Sequence, residues 1–190
     1  MTAGAQVSSE VRLRAVEDED LDVLYEHQAD PVAVEMAAFP ARDRAQFDAH
    51  WARLRGNDAM IVRTIVADGV VAGNIGSWQQ DGQELVGYWV GREHWGRGVA
   101  TRALALFVGE VPVRPLRAHV AVHNAGSIRV LEKCGFRRDL DAEAREPEPD
   151  DGVAEFIFVL AEQEQEQEEE QDSAASRVRQ GGHALGVAAQ

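Results

Sequence analysis

The chain has 190 residues, enough for one domain, of which 45% are apolar, and it carries a formal net charge of −14. That balance excludes the basic surface a nucleic-acid binder needs. No stretch approaches the roughly 20 apolar residues of a bilayer span, and a lone cysteine, Cys134, excludes a disulfide framework.

The acidity is concentrated. Residues 139–152 hold seven acidic side chains against Arg145, and residues 161–190 hold seven against two. Met1 to Glu10 has neither a basic nor an apolar region of the secretory kind, so a reducing, cytoplasmic setting is expected. No metal site is expected from the six histidines.

Residues 1–10 read as a flexible N-terminus. Val11 to Ala15 reads as a short strand with Arg12 and Arg14 alternating against apolar residues. The acidic run Glu17 to Asp20 opens a helix with Leu21, Leu24 and Tyr25 at helical spacing, which Asp30-Pro31 breaks. A second helix is predicted over about Asp43 to Leu54, with Phe47, Trp51 and Leu54 on one face. Three strands follow: Met60 to Ala67, Val70 to Trp78 and Glu84 to Val90. The turns Asp68-Gly69 and Gln80-Asp81-Gly82 make them an antiparallel meander.

A glycine-rich segment, Gly91 to Gly98, leads into a helix over Arg97 to Val108, closed by Pro112 and Pro115. Leu116 to Val122 reads as a strand. Asn124 is placed to cap a helix through about Cys134, with Gly135 at its left-handed C-terminal position and Phe136 as the apolar residue after it. Two strands, Phe136 to Arg138 and Val153 to Leu160, flank the acidic segment. The Gln-Glu alternation from Glu162 has no apolar period, so 161–190 is expected to be a disordered acidic tail beyond a domain at 11–160. The order is that of an α/β fold, a mixed sheet with helices on both faces.

Trp95-Gly96-Arg97-Gly98-Val99-Ala100-Thr101 joins a strand to a helix. Glycines there allow close backbone approach, and the helix start offers unpaired N–H groups, which together suit a phosphate or pyrophosphate; Arg97 and Arg102 add charge. It is not a Walker loop, which needs Gly-Lys-Ser/Thr, nor a dinucleotide fingerprint, whose third glycine is Thr101 here.

Gly87-Tyr88-Trp89-Val90, followed by that loop, resembles the acetyl-CoA motif of the GNAT superfamily of N-acetyltransferases. Residues Asn124 to Phe136 are similar to the superfamily's second signature. Trp95 and Ser127 resemble the RimJ/RimL-like branch, typified by acetylation of ribosomal-protein N-termini. The resemblance spans about residues 10–160 and implies a GNAT-like, mostly antiparallel sheet splayed between two central parallel strands. It also implies acetyl-CoA as cosubstrate, no metal, and a monomer or homodimer that transfers acetyl to a primary amine by direct attack on the thioester.

Residue by residue, the resemblance implies that the backbone of Arg97, Gly98, Ala100 and Thr101 cradles the pyrophosphate. The pantetheine arm would pair with the Val90 backbone, Asn124 would hold it, and Ser127 would lie near the sulfur. Asn124 is equally explained as a plain helix cap. Leu131 stands where many members have a tyrosine acid, so that role is vacant unless Ser127 takes it. Relatives often carry a glutamate base at the position of Leu85; Glu84 is one residue off, on the other face unless a bulge intervenes. The apolar helix position of Cys134 makes it core rather than nucleophile. Phe39 is a candidate pocket wall, while Phe47 and Trp51 read as core. The acidic segment 139–152 is expected beside the acceptor, where it would attract a cationic amine. Two alternatives stay open: a non-catalytic acyl-CoA binder of the same fold, and an interaction module that uses the tail.

Overall fold

The structure is a computed structural model that describes residues 9–145 and 152–162. Of the expected flexible start at 1–10 and disordered tail at 161–190, all but Ser9, Glu10, Ala161 and Glu162 fall outside those residues, as do Glu146, Glu148, Asp150 and Asp151 of the acidic segment. Ser9 is buried, and the Glu10 N–H donates to Asp68 Oδ1 at 2.8 Å, so that end of the start is held to the domain.

Seven strands form one sheet: β1 Val11–Arg14, β2 Ile61–Ala67, β3 Val70–Gln80, β4 Gln83–Val90, β5 Leu116–Ala121, β6 Arg137–Arg138 and β7 Glu155–Leu160. Their spatial order is β1-β2-β3-β4-β5-β7-β6, and every pairing is antiparallel except β4 with β5. The β2–β3 and β3–β4 hairpins close where the sequence places them, with Asp68-Gly69 and Asp81-Gly82 all at positive φ.

The parallel pair is held at one end only. Glu84 lies opposite Leu116 and Leu85 opposite Arg117, and the register stops there. Beyond that point β4 stays with β3 as far as Val90, while β5 stays with β7 as far as Ala121. Each strand follows its antiparallel partner, so right-handed twist opens a wedge in the middle of the sheet.

Side-chain alternation sends the two faces of the sheet to different helices. Ile65 and Ala67 of β2 join a core with Ile75, Val86 and Leu116, on which α4 Val99–Glu110 lays Ala103, Leu104 and Phe107. All three are fully buried, and Phe107 alone contributes about 1.5–3 kcal/mol by leaving water. Val62, on the opposite face of β2, packs with Leu24 of α1 Asp20–Ala29 and with Phe47 and Trp51 of α3 Arg44–Arg55. α3 starts with a capping box: Asp43 accepts from the Gln46 N–H (2.8 Å), and the Gln46 side chain accepts from the Asp43 N–H (3.2 Å).

Two helices go beyond the sequence reading. Asp30-Pro31 ends α1, but it also begins α2 Pro31–Ala37. Asp30 Oδ1 accepts from the N–H groups of Val32 (2.9 Å) and Ala33 (3.2 Å), and proline at the first helical position loses no intrahelical bond. In the acidic segment, Asp139 caps the short α6 Leu140–Glu143 by accepting from Ala142 N–H at 2.9 Å. The remaining helix, α5 Ala125–Lys133, behaves as expected. Asn124 caps it, Gly135 takes φ 85°, and the Phe136 N–H returns to the Leu131 carbonyl at 3.1 Å.

Candidate functional site

A cavity of about 630 Å³ occupies the wedge. Its walls come from the end of β4 (Tyr88 to Val90), the glycine loop with the first turn of α4, and His123, Asn124 and the inner side of α5. Ala33, Met36 and Ala37 of α2 close it. No aspartate or glutamate is among the described residues that line it, whereas Arg129 and Lys133 do.

The loop is built to receive an anion. Gly96 and Gly98 have φ of 71° and 73°, a region costly for any residue with a Cβ, and Gly98 is the N-cap of α4 without a capping side chain. The first intrahelical bond is from Arg102 N–H to the Gly98 carbonyl, so the N–H groups of Val99, Ala100 and Thr101 have no partner within the helix. The Arg102 guanidinium donates to the Arg97 carbonyl at 2.6 Å and fixes the loop from behind. The Arg97 side chain is drawn to Asp68 (2.6 Å), and Arg97 is not among the described residues that line the cavity. Val90 is on the wall, but its carbonyl already accepts from Trp95 Nε1 at 2.8 Å, so one of its lone pairs is used.

At the other end of the wedge, Asn124 Oδ1 accepts from the Ser127 N–H at 3.0 Å, the helix-capping contact. The Ser127 hydroxyl meets the Tyr88 hydroxyl at 2.9 Å. Burial pushes the Tyr88 phenol up to about 12, although its bond to Ser127 acts the other way. It therefore keeps its proton at neutral pH. The sequence singled out Ser127 but not this partner, because β4 and α5 lie 39 residues apart. Leu131 and Cys134 belong to the core: Leu131 is buried, and burial raises the Cys134 thiol, which donates to the Thr101 carbonyl at 3.4 Å.

Glu84 is not brought to this place. It is buried at the joined end of β4 and β5, opposite Leu116 and Gln79, six residues before Val90, or roughly 20 Å along the strand. No bulge in the β3–β4 register turns it toward the wedge. The aromatic residues also divide differently. Phe47 and Trp51 are core as expected, whereas Phe39 is exposed beneath Arg42 (4.9 Å), off the cavity wall, and α2 supplies the apolar wall instead. In the acidic segment, Asp139 pairs with Arg117 (3.4 Å). Glu143 binds Arg138 twice at 2.8 Å and accepts from Ile157 N–H at 3.0 Å. These two carboxylates hold the β6–β7 edge together and do not line the cavity.

Among the described residues one group offers metal-ligand atoms close together: those of His27, Glu93 and His94 lie within 4.8 Å of one another. His27 Nε2 is 3.0 Å from Glu93 Oε1 and His94 Nε2 is 3.6 Å from it. Neither Nδ1 has a hydrogen-bond partner among the described residues, whereas a ligating histidine ordinarily hands its second nitrogen to one. The group is accounted for as two buried imidazoles sharing one carboxylate.

The model of the GNAT acetyltransferase domain matches residues 10–137. The chain belongs to the GNAT acetyltransferase family. A probable N-acetyltransferase, YjcK, of Bacillus subtilis (strain 168) is 37% identical over 59 residues, which are 29% of this chain and 33% of that protein. The chain thus matches about a third of the length of that curated relative. Three solved structures share the fold. Spermidine N-acetyltransferase from Vibrio cholerae, in complex with CoA and spermine, is 15% identical with a TM-score of 0.65, covering 78% of this chain and 92% of that one. Aminoglycoside acetyltransferase AAC(6')-Ib, in complex with ribostamycin and coenzyme A, is 19% identical at 0.65, covering 80% and 94%. Mycobacterium smegmatis RimJ, in complex with CoA-disulfide, is 22% identical at 0.63, covering 88% and 90%. At these identities the likeness carries the fold, here a GNAT fold with β4 and β5 as its parallel pair.

Proposed function

We propose that this GNAT domain transfers the acetyl group of acetyl-CoA to a primary amine, on a small molecule or a peptide N-terminus, by direct attack on the thioester. The observation that carries the reading is one cavity that joins a phosphate-ready helix start to a half-buried pair of hydroxyls across an opened sheet. A ligand with an anionic head and an extended arm fits those two ends. The pyrophosphate lies on the N–H groups of Gly98, Ala100 and Thr101, with Arg129 and Lys133 supplying charge. The arm runs along Val90 toward Asn124.

The leaving group is a thiolate, whose ordinary value near 8.5 makes it a modest burden. Ser127 is a proton source on the wall. Its hydroxyl pairs with that of Tyr88 at 2.9 Å, and the Tyr88 hydroxyl also reaches the Ser127 backbone carbonyl at 3.4 Å, so Tyr88 can hold Ser127 in place while the serine gives its proton to the sulfur. The relatives solved with spermine and with ribostamycin support a cationic amine as acceptor. RimJ, together with Trp95 and Ser127, supports the RimJ/RimL-like branch. A cytoplasmic setting fits the lone thiol. Among the described residues no helix is long and apolar enough to cross a membrane.

Leu131 in place of a tyrosine, and the absence of a carboxylate among the described residues of the cavity wall, favour the second reading, a binder of acyl-CoA that does no chemistry. One assay separates the two. Thiol release from acetyl-CoA is followed with spermine, ribostamycin and an alanine-terminated peptide as acceptors. Acceptor-dependent release is expected; CoA binding by calorimetry without any release would establish the binder.

A further inference from the structure

A transfer to an amine needs a base, because an amine with a lysine-like value near 10.4 is almost fully protonated at neutral pH. Among the described residues, the cavity wall offers few candidates. Arg129 and Lys133, on α5, are cations. Tyr88, on β4, keeps its proton. His94, on the turn after β4, is buried against Glu93. His123 remains, between β5 and the cap of α5, one helical turn from Ser127.

The surroundings of His123 give its ring a direction. Its Nε2 lies 3.0 Å from the backbone carbonyl oxygen of Glu35, on α2. A carbonyl only accepts, so Nε2 carries the proton and the neutral ring presents Nδ1 as a lone pair. The side chain is exposed, so a proton taken up there passes on to solvent. The contact also ties α2, the apolar wall of the cavity, to the strand end that bears the base.

We infer that His123 is the general base of this domain, with Nδ1 taking the ammonium proton of the acceptor and the Glu35 carbonyl fixing the tautomer. This rests on the acyl-transfer reading above. The proton balance closes without a carboxylate. Nδ1 removes one proton from the ammonium group, and the freed nitrogen pair forms a bond to the thioester carbonyl carbon. The carbon–sulfur bond then breaks as the tetrahedral adduct collapses. Ser127 takes the second nitrogen proton, made acidic by the new bond, as it gives its own to the sulfur, and His123 returns its proton to water.

The test is His123→Gln, whose amide still donates to the Glu35 carbonyl but is not a base at any pH used. With spermine as acceptor, kcat/KM at pH 7 is expected to fall about a hundredfold. The loss should shrink toward parity as pH rises to the amine's own value, where free amine is abundant. CoA affinity by calorimetry should be unchanged, which excludes misfolding. A Gln variant within twofold of the parent across the pH range would overturn the assignment of the base alone. A parent that releases no thiol with any of the three acceptors would overturn the transfer reading, and the base with it.

Discussion

Asp20 is 2% exposed and accepts four hydrogen bonds: two from Arg14 at 2.6 Å each, one from the Glu17 N–H at 2.9 Å and one from the Thr64 hydroxyl at 2.7 Å. Burial alone would raise its carboxyl, but Arg14, the Glu17 N–H and Thr64 outweigh that and hold it below the usual carboxylate range. Asp20→Asn keeps the shape, removes the charge and turns one acceptor into a donor facing donors. The variant should lose about 2–3 kcal/mol of stability, read from urea unfolding; a loss under 0.5 kcal/mol would mean the network is incidental. On the proposed acetyl transfer, Ser127 is the counterpart at the same scale. Ser127→Ala should lower kcat by about tenfold and leave CoA affinity unchanged, because only the departing sulfur needs the proton. An undiminished kcat would show that water protonates the thiolate. Ser127 was legible from its place in a signature. Its pairing with Tyr88 was not, since nothing in a local pattern records which side chains meet across 39 residues.

Among the elements, the start of α4 and the whole of α2 do most to shape the cavity. Gly98 caps α4 at φ 73°, and a Cβ built there would sit 3.2 Å from Arg102 Nη1. Gly98→Val combines left-handed strain with a branched side chain pressed against the Arg102 guanidinium that fixes the loop, which would displace the backbone donors on which the pyrophosphate would lie. Affinity for CoA, measured by calorimetry, is expected to fall at least tenfold; unchanged affinity would remove the pyrophosphate from this loop. α2 shows why the other wall escaped the sequence reading. Asp-Pro disfavours continuation of the preceding helix, and that much was read correctly. The same two residues are also an N-cap and a first helical position, and a helix of seven residues is too short to display a helical period. The meander and the capped α5 were legible because Asp-Gly turns and an Asn…Gly-Phe frame act through adjacent residues. The splay of β4 from β5 depends on partners of both strands, so the bare sequence hides it; the family resemblance is what anticipated it.

Over the whole molecule, charge is segregated by task. The net charge is −14, yet the cavity wall carries Arg129 and Lys133 and, among the described residues, no carboxylate, as an anionic cosubstrate requires. The histidines set the pH range in which this arrangement is stable. Burial, then the charges of Arg42 and Arg53, push His50 down to about 4. Burial likewise lowers His94, with Glu93 acting in the opposite direction. Both depressions mean that the unfolded chain binds more protons than the folded one between the ordinary histidine value near 6.5 and the folded value. Stability is therefore complete above about pH 6.5 and declines as pH falls toward 4. The carboxylates of Asp20, Glu93 and Glu143 are also held low and add their loss mainly below that window. His50 is only half-buried, so solvent screening reduces its share to about 1–2 kcal/mol, or roughly 3–6 °C in Tm. Thermal melts of the parent from pH 7.5 to 4.5 should show that decline. His50→Gln, which has no proton to gain, should flatten it, with His94 contributing to what remains. A parent Tm that stayed level from pH 6.5 to 4.5 would mean that both imidazoles protonate in the folded state as readily as in the unfolded chain.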